Sequence, residues 1–275
     1  MELYFTELHA PGVGLLLKVE RELLHKRTPH QELAILETRE FGRVLLLDGR
    51  VMLTEKDEFI YHEMLIHPIF AFVEPGRLRR ALVIGGGDGG AIRELLRYDE
   101  VEEITLVEID EEVIQAALEY LPRVASGLRD PRVRVQIEDG FEFLERHKGA
   151  YDAIFVDSPD PIGPAKVLYS EEFYQRAKAS LRGGGSLVLQ TESPWYHRSQ
   201  LRKILQNLRK IFKFVEVYLA PVPSYPAGWW SFTMARDLPF ELHRRELPAG
   251  LRYFNEEIRE ALFALPQFLK DELGL

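Results

Sequence analysis

The chain contains no cysteine. That removes disulfides, thiolate nucleophiles and cysteine-ligated metals at once. It also lacks an apolar run of transmembrane length, since charged or turn residues break every hydrophobic stretch before about 20 residues. The opening stretch, Met1 to His9, sets Glu2, Glu7 and His9 among apolar neighbours, which is not the basic-then-apolar layout of a secretory leader. Nor is there an excess of positive charge: 35 basic against 44 acidic residues leave a formal net charge of -9. Such a surface is a poor match for nucleic acid, and no membrane partner is expected either. With no internal repeat and no low-complexity tract, the expectation is a globular cytoplasmic enzyme whose acidity favours cationic ligands.

What the sequence does have is length and order. At 275 residues and 46% hydrophobic content, it can bury one large core plus a small appendage. Residues 1 to 55 alternate short β-like stretches with turns, as in Gly14 to Val19, Glu32 to Glu37 and Val44 to Leu47 closed by Asp48-Gly49, and read as a small antiparallel β-domain. Glu58, Tyr61, His62 and Leu65 recur at helical spacing in a linking segment that Pro68 interrupts near its end. From Leu78 onward strands and helices alternate: Ala81 to Ile84, a helix to Tyr98, Ile104 to Glu108, a helix Glu111 to Tyr120, Val133 to Ile137, Ala153 to Val156, a helix Glu171 to Leu181, and Ser186 to Gln190. That order predicts an α/β fold over residues 56 to 275, a Rossmann-like doubly wound parallel sheet with helices on both faces. After a helix from Ser199 to Phe212, Val215 to Ala220 and Trp230 to Met234 read as an antiparallel pair at the sheet edge.

The most informative run is Gly85-Gly86-Gly87-Asp88-Gly89-Gly90, set between an apolar strand and a helix. Its glycines fit the G-x-G-x-x-G spacing, with Gly85 and Gly87 in its first half, that permits a tight turn and close backbone approach to a ligand. The next strand ends in Glu108, roughly twenty residues on, where a carboxylate can take a ribose diol. A nucleoside-type ligand is therefore expected. Asp88, an acid inside the glycine loop, repels a pyrophosphate or the free carboxylate of ordinary S-adenosylmethionine and suits a bare ammonium. Two further strand ends carry acids, Asp139 with Gly140 and Asp157 with Asp160. A single such acid is commonly a helix cap; four ends in register are harder to explain that way. On that reading Glu108 serves the ribose, Asp139 the adenine amino group, and Asp88 with Asp157 a positively charged nitrogen. Aromatic residues cluster in the remaining loops, Tyr61 beside His62, Trp195-Tyr196 after Glu192, and Tyr225 with Trp229-Trp230. Such walls around acids describe a slot for a methylene chain with ammonium ends, although core packing explains Trp230 equally well. His62 has no second histidine at ligand spacing, so no metal is expected.

These residues resemble the polyamine aminopropyltransferases, bacterial spermidine synthase in particular. The resemblance covers essentially the whole chain and rests on Leu47-Asp48-Gly49, the run Glu55 to Met64, the GGGDGG loop, Val107 to Asp110, Glu138-Asp139-Gly140, the loop Asp157 to Ala165 and Tyr225 to Gly228. It implies transfer of an aminopropyl group from decarboxylated S-adenosylmethionine, with no prosthetic group, to an amine acceptor. By similarity, Glu108, Asp139, Gly140 and Pro164 hold the adenosyl part, and Asp88 with the main chain near it grips the aminopropyl ammonium. Gln31, His62 and the stretch Asp157, Ser158 and Asp160 line the aminopropyl and acceptor side, Tyr61 and Tyr225 position the attacking nitrogen, and Asp157 is the proton acceptor. Pro159 departs from the Ser or Thr common in the family. The resemblance also implies a homodimer or homotetramer.

The alternatives are a methyltransferase using intact S-adenosylmethionine, a nicotinamide dehydrogenase, and a polyamine-binding protein without turnover; Asp88 speaks against the first two. Among acceptors, putrescine is expected over cadaverine, agmatine or a triamine, with Glu192 and the Trp229-Trp230 pair as the readers of the far end.

Overall fold

A computed structural model describes residues 2–159, 167–243 and 245–275. Five strands form an antiparallel sheet in sequence order: β1 (Leu3–Ala10), β2 (Val13–Arg27), β3 (Glu32–Thr38), β4 (Gly42–Leu47) and β5 (Arg50–Thr54). The turn between β4 and β5 is Asp48-Gly49, both at positive φ, 49° and 72°, the conformation that joins strands through two residues. β1 escapes the sequence reading for a physical reason: it exposes Leu3, Tyr4 and Leu8 and buries Glu7, the reverse of an apolar-in alternation. The Glu7 carboxylate is satisfied by the Val51 amide. β2 is much longer than its apolar stretch because two register shifts against β3 let it bend and continue.

The second sheet has seven strands in the order β11-β12-β10-β9-β6-β7-β8, namely β6 (Arg80–Gly85), β7 (Glu103–Glu108), β8 (Val133–Ile137), β9 (Tyr151–Asp157), β10 (Leu181–Gln190), β11 (Phe214–Pro221) and β12 (Trp229–Arg236). β6 to β10 are parallel, and β12 and β11 close one edge antiparallel. The chain runs from β6 outward to β7 and β8, then crosses back to lay β9 on the other side of β6. That reversal opens a crevice at the carboxyl ends of β6 and β9, where ligands bind in such sheets. The Rossmann-like α/β architecture with a small antiparallel sheet before it is therefore the one the sequence pattern implies.

One face of the large sheet is covered by α1 (Glu58–Phe70) and α2 (Gly90–Leu95), the other by α4 (Gly140–Arg146), α5 (Glu171–Ser180) and α6 (Arg198–Ile211). α3 (Glu111–Tyr120) packs Val113 and Ala116 against Leu33, Leu45 and Leu47 of the small sheet, so one apolar cluster joins the two sheets. α7 (Glu256–Glu260) and α8 (Gln267–Leu273) end the chain. α2 stops earlier than its apolar spacing suggests: the amides of Arg97 and Tyr98 bond three residues back, to Glu94 and Leu95, a tightened turn that lets Tyr98 stack on Phe70. Pro68 lies inside the last turn of α1. Its missing N–H frees the Met64 carbonyl, which accepts instead the Tyr218 hydroxyl at 2.9 Å. α1 is buried along nearly its whole length, and on its outer side Glu63 accepts the amides of Arg252, Tyr253 and Phe254 at 2.8 to 2.9 Å.

Candidate active site

The strand ends converge on one pocket. It is lined by the glycine loop with Asp88, by Glu108, by Glu138 to Gly140, by Asp157 to Pro159, by Tyr61 and His62 of α1, and by Tyr225. A further wall is the small sheet, through Gln31, Leu45, Leu47, Asp48 and Met52. Gln31, Gly85, Gly87, Asp88, Glu108, Asp139, Gly140, His62, Asp157, Ser158, Tyr61 and Tyr225, scattered in sequence, thus share one cavity. Asp160 and Pro164 lie outside the described residues.

At the adenosyl-type end, Glu108 closes β7 and is buried. Its carboxylate accepts the Gly87 amide at 3.2 Å and the Asp110 amide at 3.0 Å. Burial outweighs those bonds and pushes its carboxyl up to about 7. Asp139 caps α4 by accepting the Phe141 amide at 2.7 Å, so the capping reading and the pocket reading hold for the same residue. Gln31 donates to Asp110 Oδ2 at 2.9 Å, and Thr28 donates to the same oxygen at 2.7 Å. Asp110 in turn caps α3. A polar bolt between the two sheets therefore sits beside the pocket, and Asp110 is a contributor the sequence reading did not single out.

At the other end, the last residue of β9 is Asp157. Tyr61 donates its hydroxyl to Asp157 Oδ1 at 2.8 Å. Oδ2 is buried with no hydrogen-bond partner among the described residues; His62 Nε2 lies 4.0 Å from it. Burial, aided by the nearby Asp88 charge and opposed by His62 and Tyr61, raises the Asp157 carboxyl to about 6. Burial and the same carboxylate hold the Tyr61 phenol well above its ordinary value, so it remains a neutral donor. His62 Nδ1 lies 2.6 Å from Glu58 Oε2, and its Nε2 3.3 Å from Asp88 Oδ1. Burial works against its charge, yet Asp88 and Glu58 prevail and hold the imidazole well above its usual value. Burial works against Asp88 as well, but His62 and the Gly90 amide, 2.7 Å away, keep its carboxyl low.

His62, Asp88 and Asp157 offer ligand atoms within 4.8 Å of one another. A ring with a carboxylate at each nitrogen carries both protons, and an imidazolium has no lone pair for a cation. The cluster is an ion-pair array, net negative, suited to an organic ammonium.

Two glycines explain why the loop has its composition. A Cβ at Gly86, which sits at φ 70°, would lie 2.8 Å from Asp157 Oδ2; one at Gly90 would lie 2.2 Å from His62 Cε1. Both make room for functional side chains of this protein, a use of glycine that the spacing alone does not distinguish from close approach to a ligand.

Ser158 is held by Tyr169 at 3.2 Å, and its carbonyl accepts Gln190 Nε2 at 3.1 Å; neither partner was marked by the sequence. Tyr225 donates to the Met52 carbonyl and packs edge-on against Tyr61 and Trp230. Glu192 and Trp229 do not line the pocket among the described residues. Glu192, at φ 74°, is buried and its carboxylate bonds His197 at 2.6 Å; Trp229 stacks in parallel on Phe268. Glu192 follows β10 and Trp229 opens β12; each is engaged by a partner outside the pocket, although Tyr225, in the same β11–β12 connection as Trp229, lines it. Trp230 is core, wedged behind Tyr225.

Comparison with known proteins agrees with this geometry. The spermine/spermidine synthase domain family matches residues 58–244, and the spermidine synthase tetramerisation domain matches residues 3–55. A polyamine aminopropyltransferase of Caldicellulosiruptor saccharolyticus is 44% identical, with 98% of each chain covered. One from Moorella thermoacetica is 43% identical, with 98% of this chain and 96% of the other covered. A crystal structure of spermidine synthase in complex with the transition state analogue AdoDATO superposes with a TM-score of 0.95 at 38% identity, covering 99% of this chain and 95% of that one. Spermidine synthase from Thermotoga maritima gives 0.93 at 38% identity, covering 99% and 94%. The chain belongs to the spermine/spermidine synthase family, a family of polyamine aminopropyltransferase enzymes.

Proposed function

We propose that this aminopropyltransferase moves the aminopropyl group of decarboxylated S-adenosylmethionine to putrescine, releasing spermidine and methylthioadenosine. The observation that carries the reading is Asp157 Oδ2, a buried carboxylate oxygen without a partner among the described residues, facing a pocket whose other end has a ribose-type acid in Glu108. In this reading Glu108 takes the ribose diol, Asp139 the adenine amino group, and Asp88 the donor's ammonium. Tyr61 and Tyr225 flank the acceptor.

A protonated amine has no lone pair with which to attack. Asp157, raised to about 6, takes one proton from the acceptor's ammonium as the site desolvates. The free amine then forms a bond to the methylene beside the sulfonium, and the breaking carbon–sulfur bond leaves its electron pair on sulfur as neutral methylthioadenosine. Holding nitrogen and methylene in line supplies more than the base, up to roughly 7–11 kcal/mol in favourable cases. A short diamine is supported by the fixed aromatic wall, Tyr225 backed by Trp230 at 4.7 Å.

Methylthioadenosine release is to be followed with putrescine, cadaverine, agmatine and spermidine at equal subsaturating concentration. Putrescine should be fastest, and Asp157→Asn should slow release about 10²- to 10⁴-fold. Faster turnover with agmatine would overturn the acceptor; no release with any amine would overturn the reaction. The match of residues 3–55 and the exposed Leu3, Tyr4, Leu8, Val13 and Leu16 support assembly as a homotetramer through the small sheet. Among the described residues no helix is long and apolar enough to cross a membrane, and action in the cytoplasm is part of the same proposal.

A further inference from the structure

Behind His62, outside the pocket, lies a second layer that the reaction as described does not use. Glu58, in the first turn of α1, is buried. Its Oε1 accepts Arg93 Nη1 at 3.0 Å and its Oε2 accepts Arg93 Nη2 at 2.8 Å, a two-pronged fork that fixes the plane of the carboxylate. The same Oε2 is 2.6 Å from His62 Nδ1. Glu58 and Arg93 do not line the pocket; they face a separate cleft with Phe59, Glu63 and Arg252. On the opposite edge of the ring, Nε2 looks at Asp88 Oδ1 and Asp157 Oδ2 at 3.3 and 4.0 Å. The ring lies against the Gly90 backbone, so close that no Cβ fits between them. It has one orientation, and Glu58 sets it.

We propose that Glu58, clamped by Arg93, is a positioning residue that aims the Nε2–H of His62 at the two pocket carboxylates and thereby sets the pH at which Asp157 takes the acceptor's proton. The proposal rests on the aminopropyl-transfer reading. The charged and titratable groups around the imidazole are Glu58 on its own helix, Asp88 from the glycine loop, Asp157 from β9 and, through Glu58, Arg93 from α2; Tyr61 reaches the same Asp157. Of these only Glu58 meets Nδ1. A carboxylate there both orients the ring and favours its second proton. The cation so held opposes the burial that raises Asp157. Without it, Asp157 would protonate at a higher pH and be unable to act over more of the neutral range.

The test is the pH profile of kcat/KM for putrescine in wild type, Glu58→Gln, His62→Gln and the double variant, alongside the ring titration of His62 by NMR. Glu58→Gln should move the acidic limb up by about one pH unit and move the His62 titration down. His62→Gln should move the limb the same way, and the double variant no further than His62→Gln alone. Arg93→Lys, which keeps the charge but loses the fork, should give a smaller shift in the same direction and serves if Glu58→Gln does not fold. Rates lowered equally at all pH values with an unmoved limb, or shifts that add in the double variant, would overturn the proposal. A wild-type chain with no turnover, whose His62 titration still responds to Glu58→Gln, would sink the aminopropyl-transfer reading and leave the Glu58–His62 coupling standing.

Discussion

Helix α1 carries two buried histidines five residues apart, and the two differ in what is left over. His67 is closed. Its Nδ1 is 2.9 Å from the Tyr98 hydroxyl and its Nε2 is 3.0 Å from Glu94. Glu94 is further held by Arg93 and Arg97, and none of these partners lines the pocket among the described residues. His62 is paired on one side by Glu58 in the same style, but its other side looks across a pocket to Asp88 and to a carboxylate with one oxygen unpartnered among the described residues. One guanidinium, Arg93, serves both clusters, with Nε on Glu94 and Nη1 and Nη2 on Glu58. The chemistry of histidine, glutamate and arginine is common to the two sites. What separates them is satisfaction: a complete network holds a fold together, and an incomplete one that opens to a cavity can take a ligand.

The largest break in this comparison should come from Gly90→Ala. The added methyl meets the His62 ring at 2.2 Å, so the open cluster must shift while the closed one is untouched. Displacement of about 1 Å at a catalytic centre costs on the order of 10²-fold, and methylthioadenosine release at saturating substrates measures it. Tyr61→Phe removes the hydroxyl bond to Asp157. A bond to a charged group is worth roughly 1.5–3 kcal/mol, so turnover should fall about 10- to 100-fold, with the acidic limb moved to higher pH because that bond favours the ionised carboxylate.

A third effect sits at the end of the pocket proposed for the adenosyl group. Glu108 has a folded value of about 7, and a ribose diol donates to the ionised form. Affinity for methylthioadenosine should therefore rise about tenfold from pH 6 to pH 8 in wild type, and calorimetric titration across that range would register a flat profile if Glu108 does not meet the diol. The smallest effect on turnover is expected from His67→Phe, at the closed cluster. Burial opposes ionisation of Glu94, but His67 and Arg93 hold its carboxyl down to about 2. That lowering contributes stability present above the unfolded value near 4.5 and lost as pH falls toward 2. The variant should lose about 1–3 kcal/mol of stability and unfold in acid at a higher pH, with kcat for the folded enzyme nearly unchanged. A large loss of kcat would mean that the closed cluster is coupled to the reaction after all.

The sequence was most legible where chemistry and backbone coincide. The glycine loop, Glu108, Asp139 and Asp157 all stand at strand ends, and a parallel sheet brings strand ends together whatever lies between them. It was least legible where the deciding contact is between distant residues of ordinary type. Glu58 and Arg93 look like any charged pair on helix surfaces, 35 positions apart, and only the packing of α1 on α2 turns them into the back of the site. Glu192 and Trp229 lie outside that pocket among the described residues because each is taken up by a distant partner, Glu192 by His197 and Trp229 by Phe268, contacts that no spacing in the sequence announces. α4, with 7 residues, is too short for its apolar spacing to stand out, and its cap Asp139 was read for its chemistry rather than as the start of a helix.

The small sheet contributes a roof to a pocket whose floor belongs to the large one. Leu45, Leu47 and Met52 set apolar side chains over a space lined by acids from the other sheet, and Thr28 and Gln31 bolt it down through Asp110. Were the roof to lift by a water's width, the local dielectric would climb. Asp157 would then slip back toward the proton affinity of an ordinary aspartate, too weak a base for the role proposed for it. The basicity of one residue is in that sense a property of how tightly two separate sheets are closed.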